Sequence, residues 1–234
     1  EIPDAYRDRT IYFPENGIDL SRFQPVEKDP PPPVRACFVG RLVPYKGPDM
    51  LIEAAAAQLQ AGTLHLDIVG DGPMMNEVQA KIAALGLAEA VTLHGWVDHA
   101  DVARILGRAH ILTVPSIREF GGGVVLEAMA LGVTPVVVDY GGPGELVAGG
   151  SGIAIPLGTR EQIVARLADA LARIVADPAG TCLPPETLRQ RVEDEFSWPA
   201  KARKIAGVYL AVLPKEEDRR GSGLEAESIR DAGP

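Results

Sequence analysis

The sequence predicts an α/β fold: a Rossmann-like parallel sheet with helices on both faces, followed by C-terminal helices. Three observations carry this expectation. From Val34 onward, short β-rich runs alternate with helical patterns, the order that builds a parallel sheet through right-handed crossovers. Several strand runs are almost continuously apolar, as strands buried on both faces are. The segments between them carry one-sided apolar spacing and helix-start residues.

Residues 1–33 show little periodicity and end in Pro30–Pro33. Such chain is stiff and extended, so this stretch reads as a connection and Pro-rich linker, the interior of something longer. The predicted strands are Val34–Val39, Leu64–Val69, Val91–Leu93, Ala109–Val114, Thr134–Val138 and Gly152–Ile155. Leu51, Ala55 and Leu59 share one face of a helix over 48–61, and Pro48 suits its first turn, where a missing N–H costs nothing. Thr159 and Gln162 have capping-box spacing ahead of a stripe formed by Ile163, Leu167, Leu171 and Ile174. Helical stretches follow at 185–195 and 199–213, the last with a narrow face of Ile205, Val208, Tyr209 and Val212. Ten of the 21 residues in 214–234 are charged, so that segment is expected to be disordered. The expected domain is therefore 34–198, with a crossing helix over 199–213.

The chain has 234 residues, 46% apolar and 24% charged, enough for a substantial core. Lys and Arg total 23 against 32 Asp and Glu, a net charge of −9. That balance excludes a general nucleic-acid or anionic-membrane surface, so any phosphate binding must be local. No apolar run approaches the ~18 residues of a membrane span, and membrane contact is not indicated. Cys37 and Cys182 lie too far apart in sequence for a ligand cluster or disulfide framework, which fits a reducing cytoplasm. Cys37, inside the first strand, reads as a small core residue.

In open α/β sheets, ligands bind beyond the carboxyl ends of the strands. After the first strand comes Gly40-Arg41-Leu42-Val43-Pro44-Tyr45-Lys46-Gly47, entering a helix. The helix macrodipole disfavours two cations at its positive end, unless an anion arrives between them. Two solvated surface charges are the other reading. A P-loop is excluded because Lys46 is followed by Gly47 and no hydroxyl is placed for magnesium. Gly70-Asp71-Gly72 follows the second strand without a third glycine, and a tight turn explains it.

After the strand ending at Val114, Glu119 is followed by Phe120, Gly121-Gly122-Gly123 and Val124, with Glu127 about one turn into the next helix. Three successive glycines suit close approach of backbone to a ligand, and their N–H groups at a helix start form an anion nest. Carboxylates beside such a nest repel phosphate but accept sugar or ribose hydroxyls. A capping Glu119 and a solvated Glu127 form the alternative.

Taken in order, Gly40-Arg41-Leu42, Lys46-Gly47, Ile68-Val69-Gly70-Asp71-Gly72-Pro73, Gly95-Trp96-Val97, Pro115-Ser116, Glu119-x7-Glu127-Ala128-Met129-Ala130 and Gly141-Gly142-x-x-Glu145 resemble the retaining glycosyltransferases of family 4 (group 1). The likeness is to the C-terminal, donor-binding half of their GT-B fold, and spans about residues 11–213, with Asn16-Gly17-Ile18-Asp19 resembling the interdomain connection. It implies a nucleotide-diphosphate sugar donor held by this half and an acceptor held by an N-terminal domain. Arg41 and Lys46 are implied to bind the diphosphate, Gly121, Gly122, Gly123 and Val124 to contact phosphate and sugar through backbone, and Glu127 to hold the ribose. Val97 is placed beside the base. Glu119 takes the catalytic-site position, with hydroxyl binding of the transferred sugar favoured over nucleophilic attack. The GT-B pattern implies no bound metal and no cofactor, in keeping with the lack of an Asp-x-Asp pair. His94 departs from the small or apolar residue usual before Gly95 and reads as structural filler; His65, His99 and His110 receive no catalytic role. A nucleotide-sugar epimerase, an inverting transferase, or a non-catalytic nucleotide-sugar-binding module on the same fold stand as the other readings.

Overall fold

The computed structural model describes residues 2–213; the segment expected to be disordered, 214–234, lies outside them. Strands β1 (Val34–Val39), β2 (Leu64–Val69), β3 (Val91–Gly95), β4 (Ile111–Val114), β5 (Thr134–Val138) and β6 (Ile153–Ile155) form one sheet in the order β3-β2-β1-β4-β5-β6. Every neighbouring pair is parallel. The helices are α1 (Pro48–Gln60), α2 (Met75–Ala84), α3 (His99–Gly107), α4 (Gly123–Ala130), α5 (Gly141–Val147), α6 (Arg160–Ala176), α7 (Pro178–Thr181), α8 (Pro185–Arg191) and α9 (Trp198–Val212). The Rossmann-like α/β expectation therefore holds, strand by strand, with ends differing by one or two residues. The helix expected over 185–195 breaks at Arg191 and continues as a single π turn, Val192–Phe196.

Strand side chains alternate between two cores because successive Cβ atoms point to opposite faces. Ala36, Leu66 and Ile68 face α1, α2 and α6, burying Leu51, Ile82, Leu167 and Leu171. Cys37, Leu112 and Val137 face the other side, where Leu106 of α3, Leu126 and Met129 of α4 and Leu188 of α8 complete a second core. The expected capping box is present: Gln162 N–H donates to Thr159 Oγ1 at 3.3 Å and Thr159 N–H to Gln162 Oε1 at 3.0 Å. On α9 only Ala200 and Lys201 are buried, whereas Tyr209, Leu210 and Val212 are exposed.

Part of the N-terminal stretch packs on the domain. Ile18 and Phe23 are buried in the second core. Ile18 N–H donates to Phe196 O at 3.0 Å, and Trp198 N–H to Ile18 O at 3.3 Å. Isolated apolar residues in a Pro-rich run have no periodic signal, so this docking is not legible from patterning.

The loops leaving β1 and β2 lie backbone on backbone. Leu42 N–H donates to Asp71 O at 2.9 Å, and Met74 N–H to Leu42 O at 3.1 Å. A Cβ on Gly70 would stand 1.9 Å from Gly40 O, and one on Gly72 2.4 Å from Leu42 O. Gly70-Asp71-Gly72 is thus a contact between two loops rather than a free-standing tight turn, and it fixes the path of the segment that carries Arg41.

Gly70→Ala is expected to destabilise the domain by about 3 kcal/mol, because φ is +133° there and the new methyl meets backbone. Gly62→Ala, at φ +67° with nothing within 4 Å, should cost only about 1 kcal/mol. Urea unfolding midpoints of the two variants check the difference; equal losses would contradict the close approach.

Candidate functional site

The crossovers from β1 run outward to β2 and β3, while those from β4 run to β5 and β6. The loops after β1 and β4 consequently diverge, leaving a crevice at the carboxyl ends of these two neighbours. Their bases are stitched together: Ser116 Oγ and Ile117 N–H both donate to Tyr45 O, at 3.2 and 2.9 Å. Gly47 turns the first loop into α1 at φ +67°, where a Cβ would meet Met50 Cε at 2.5 Å and Pro115 O at 3.0 Å.

This arrangement brings Lys46 and Glu119, 73 positions apart, into direct contact as an ion pair between Lys46 Nζ and Glu119 Oε2. Both side chains are largely buried, at 23% and 19% exposure. Desolvated charges of this kind need each other or a ligand, since leaving either alone is costly. The Arg41 side chain is exposed, and among the described residues it forms no ion pair with the other site groups.

Beyond Glu119 the chain folds over the start of α4. Gly122, at φ +68°, is its N-cap and lies 3.0 Å from the Pro143 ring at the Cβ position. Gly121 packs against Asn16, whose Nδ2 donates to Gly121 O. Phe120 O accepts from Gly142 N–H at 2.9 Å, so the loop is clamped between the N-terminal stretch and α5. The Cβ position of Gly123 has open space around it. Among the described residues no acceptor is bonded to the N–H groups of Gly121, Gly122, Gly123 or Val124. These N–H groups lie at the positive end of α4, the place an anion nest occupies.

Glu127 lies one turn further, 20% exposed, with Oε1 3.4 Å from His99 Nε2. Burial pushes its carboxyl above the usual range, while His99 and Arg22 oppose the shift. Val97, half-buried, packs on the second core beside α3. A cavity of about 590 Å³ opens between Glu119, Phe120 and Gly121 on one side and Tyr12, Asn16 and Gly141 on the other. Its walls do not include Arg41, Lys46 or Glu127. Tyr12 donates to Glu145 Oε2 at 2.5 Å, which raises the phenol to about 12.

Sequence reasoning did not single out Asn16 as a partner of the glycine loop, nor His99 as a partner of Glu127. Both depend on contacts between segments far apart in the chain, for which local spacing has no signal. His94, read as filler, bonds through Nε2 to Asp67 Oδ1 at 2.8 Å, and Asp67 also accepts from Arg35. Cys37 is fully buried, as a core residue should be. Among the described residues no helix is long and apolar enough to cross a membrane.

The sequence profile of the family described as Glycosyl transferases group 1 matches residues 21–176. The chain belongs to this family. It is 32% identical over 219 residues to a D-inositol 3-phosphate glycosyltransferase of Segniliparus rotundus, covering 84% of this chain and 46% of that protein. The C-terminal domain of a group 1 glycosyl transferase family protein (LpcC) from Francisella tularensis superposes with a TM-score of 0.67 at 21% identity, covering 78% of this chain and 100% of that one. HepE of Anabaena, solved with UDP and glucose and with UDP-glucose, gives a TM-score of 0.67 at 22% identity over 84% of this chain and 56% of that one. The fold is thus the Rossmann-like, C-terminal half of the GT-B architecture. The chain spans about half the length of the curated relative it matches.

Because its buried carboxylate is held above the usual value of 4.5, Glu127 favours the folded state only while protonated. That contribution is complete below the unfolded value and is lost as pH rises through the folded one. Glu127→Gln should accordingly melt about 2–4 °C higher than wild type at pH 7, with the difference shrinking as pH falls toward 4.5. A lower melting temperature for Glu127→Gln at pH 7 would contradict the desolvation assigned here.

Proposed function

We propose that this chain is the donor-binding domain of a retaining glycosyltransferase, which transfers a hexosyl group from a UDP- or GDP-sugar to an acceptor. One observation carries the reading. The Lys46–Glu119 ion pair joins the loop after β1 to the loop after β4, and that second loop leads through Gly121, Gly122 and Gly123 into the helix that carries Glu127. HepE, which holds UDP and UDP-glucose on the same fold, supports a donor of this class.

In this reading the diphosphate lies over the start of α4, between the N–H groups of Gly121 to Val124 and the cations of Lys46 and Arg41. As the bond from the anomeric carbon to the diphosphate breaks, negative charge grows on the leaving oxygen. Donors already in place stabilise that charge without reorganising. The arriving phosphate takes Lys46 away from Glu119, and the freed carboxylate accepts hydroxyls of the transferred sugar. Glu119 is assigned this role rather than covalent attack. The acceptor attacks on the face that the nucleotide leaves, which retains anomeric configuration. Glu127 accepts from the ribose, and Val97 flanks the base. The acceptor belongs to an N-terminal domain of the same protein, so this chain alone binds donor without transferring it. The unpaired thiols Cys37 and Cys182 accord with a cytoplasmic setting.

Calorimetric titration of the chain with UDP, GDP, ADP and TDP tests the proposal. Selective binding of UDP or GDP is expected. Lys46→Ala and Arg41→Ala should each weaken the diphosphate about tenfold, ~1.4 kcal/mol, while leaving the free nucleoside unaffected. Equal losses for diphosphate and nucleoside would overturn the phosphate assignment, and no binding by the folded chain would overturn a donor site formed by this domain.

A further inference from the structure

His99 is held between a buried aromatic ring and the carboxylate of Glu127, and three separate segments build that position. It is the first residue of α3, whose N-cap Asp98 accepts from Asp101 N–H at 2.9 Å. The Phe23 ring meets the imidazole edge-on, with centroids 5.8 Å apart and planes at 70°. Phe23 is itself buried, and its carbonyl accepts from Arg189 Nη1 at 2.7 Å. The same nitrogen donates to Ala130 O, also at 2.7 Å, so Arg189 ties Phe23 to the last residue of the helix that carries Glu127. The imidazole, half exposed, rests edge-on against a ring that Arg189 ties to α4.

Against this backing, His99 Nε2 stands 3.4 Å from Glu127 Oε1. That is longer than a tight charge-assisted bond of about 2.8 Å, and such contacts shorten when a ligand closes the site. Among the described residues Glu127 has no other ion-pair partner within 4.0 Å. The two basic side chains that face it are His99 from α3 and Arg22 from the turn Leu20–Arg22. A largely buried carboxylate with one side engaged by an imidazole keeps its remaining lone pairs for hydroxyl donors. Two vicinal hydroxyls, as on a ribose, match that geometry, and they bond well only to the ionised carboxylate.

We propose that His99 is a positioning residue of the donor site: it holds Glu127 turned toward the vicinal hydroxyls of a ribose, and so makes the site select ribonucleotides over deoxyribonucleotides. The inference rests on the ribose role given to Glu127 above. His99 acts through Glu127 and not on the reacting atoms. Removing the imidazole leaves the carboxylate buried without its neighbour, free to rotate and easier to protonate.

The test measures binding of UDP and GDP, and of their 2′,3′-dideoxy counterparts, to wild type, His99→Ala, His99→Gln and Glu127→Gln from pH 5 to pH 8. Wild type is expected to prefer the ribonucleotide by at least about tenfold at pH 8, with the preference falling as acid protonates Glu127. His99→Ala should lose about 3- to 10-fold of that preference. Its affinity for the dideoxy nucleotide should stay at the wild-type value, and its acid loss should begin at a higher pH. His99→Gln, which keeps an N–H donor, should recover most of the preference. A purely structural His99 would lower both affinities together and leave their ratio unchanged. A wild-type ratio in His99→Ala, with the ratio lost in Glu127→Gln, overturns this inference alone. A wild-type ratio in Glu127→Gln overturns the ribose assignment beneath it, and wild type that binds none of the nucleotides overturns both with the donor-site reading.

Discussion

Close approach of backbone to backbone at the carboxyl ends of the strands is the constraint on which the rest of the molecule depends. Gly70 and Gly72 let the loop after β2 lie against Gly40 and Leu42, with no room for a side chain at either glycine. On the other side of the crevice, Cβ atoms on Gly141 and Gly142 would stand 2.3 Å from the carbonyls of Glu119 and Phe120. The loops after β1 and β4 are thus each braced by the neighbouring loop further out. A parallel sheet ordered outward from β1 and β4 opens a gap between these two loops; the glycine contacts set its walls. Function at such a place needs positions accurate to a fraction of an ångström, and main-chain contacts hold position better than flexible side chains do.

Charge is the second organising element, and it is arranged to be incomplete. Lys46 and Glu119 pair with each other, and the loop that carries Glu119 leads into the positive end of α4. Glu127 is kept in a site that raises its proton affinity, opposed by His99 and Arg22. Burial of the Glu127 carboxylate carries a desolvation cost. In the proposed function, phosphate pairs with the cation and the N–H groups while hydroxyls donate to the carboxylates.

The N-terminal stretch joins the site to the remainder of the chain. Asn16 bonds the glycine loop, Tyr12 bonds Glu145, and Lys201 of α9 donates to Pro14 O while lying 4.2 Å above the Phe13 ring. Ile18 pairs with the start of α9, and Phe23 sits behind His99. Residues 12–23 and α9 therefore form a strap across the crevice end of the domain, in contact with both the nest and the group that faces Glu127.

The strands, the helices with clear apolar stripes, the capping box before α6 and the loops that carry Arg41, Lys46, Glu119 and Glu127 are legible in the local sequence. These are local properties: strand runs differ from helix stripes in period, and glycine runs and cap residues act over a few positions. Tertiary structure alone decided which loop touches which. Helix α5 begins with Gly141-Gly142-Pro143-Gly144, a run with poor helix propensity, where Gly142 N–H donates to Phe120 O. The Lys46–Glu119 pair, the bond from Asn16 to Gly121, the contact of His99 with Glu127 and the burial of Phe23 all join residues tens of positions apart. Pairings of that kind carry no periodicity and no short-range motif, so they exist only once the sheet order has brought the loops to one edge.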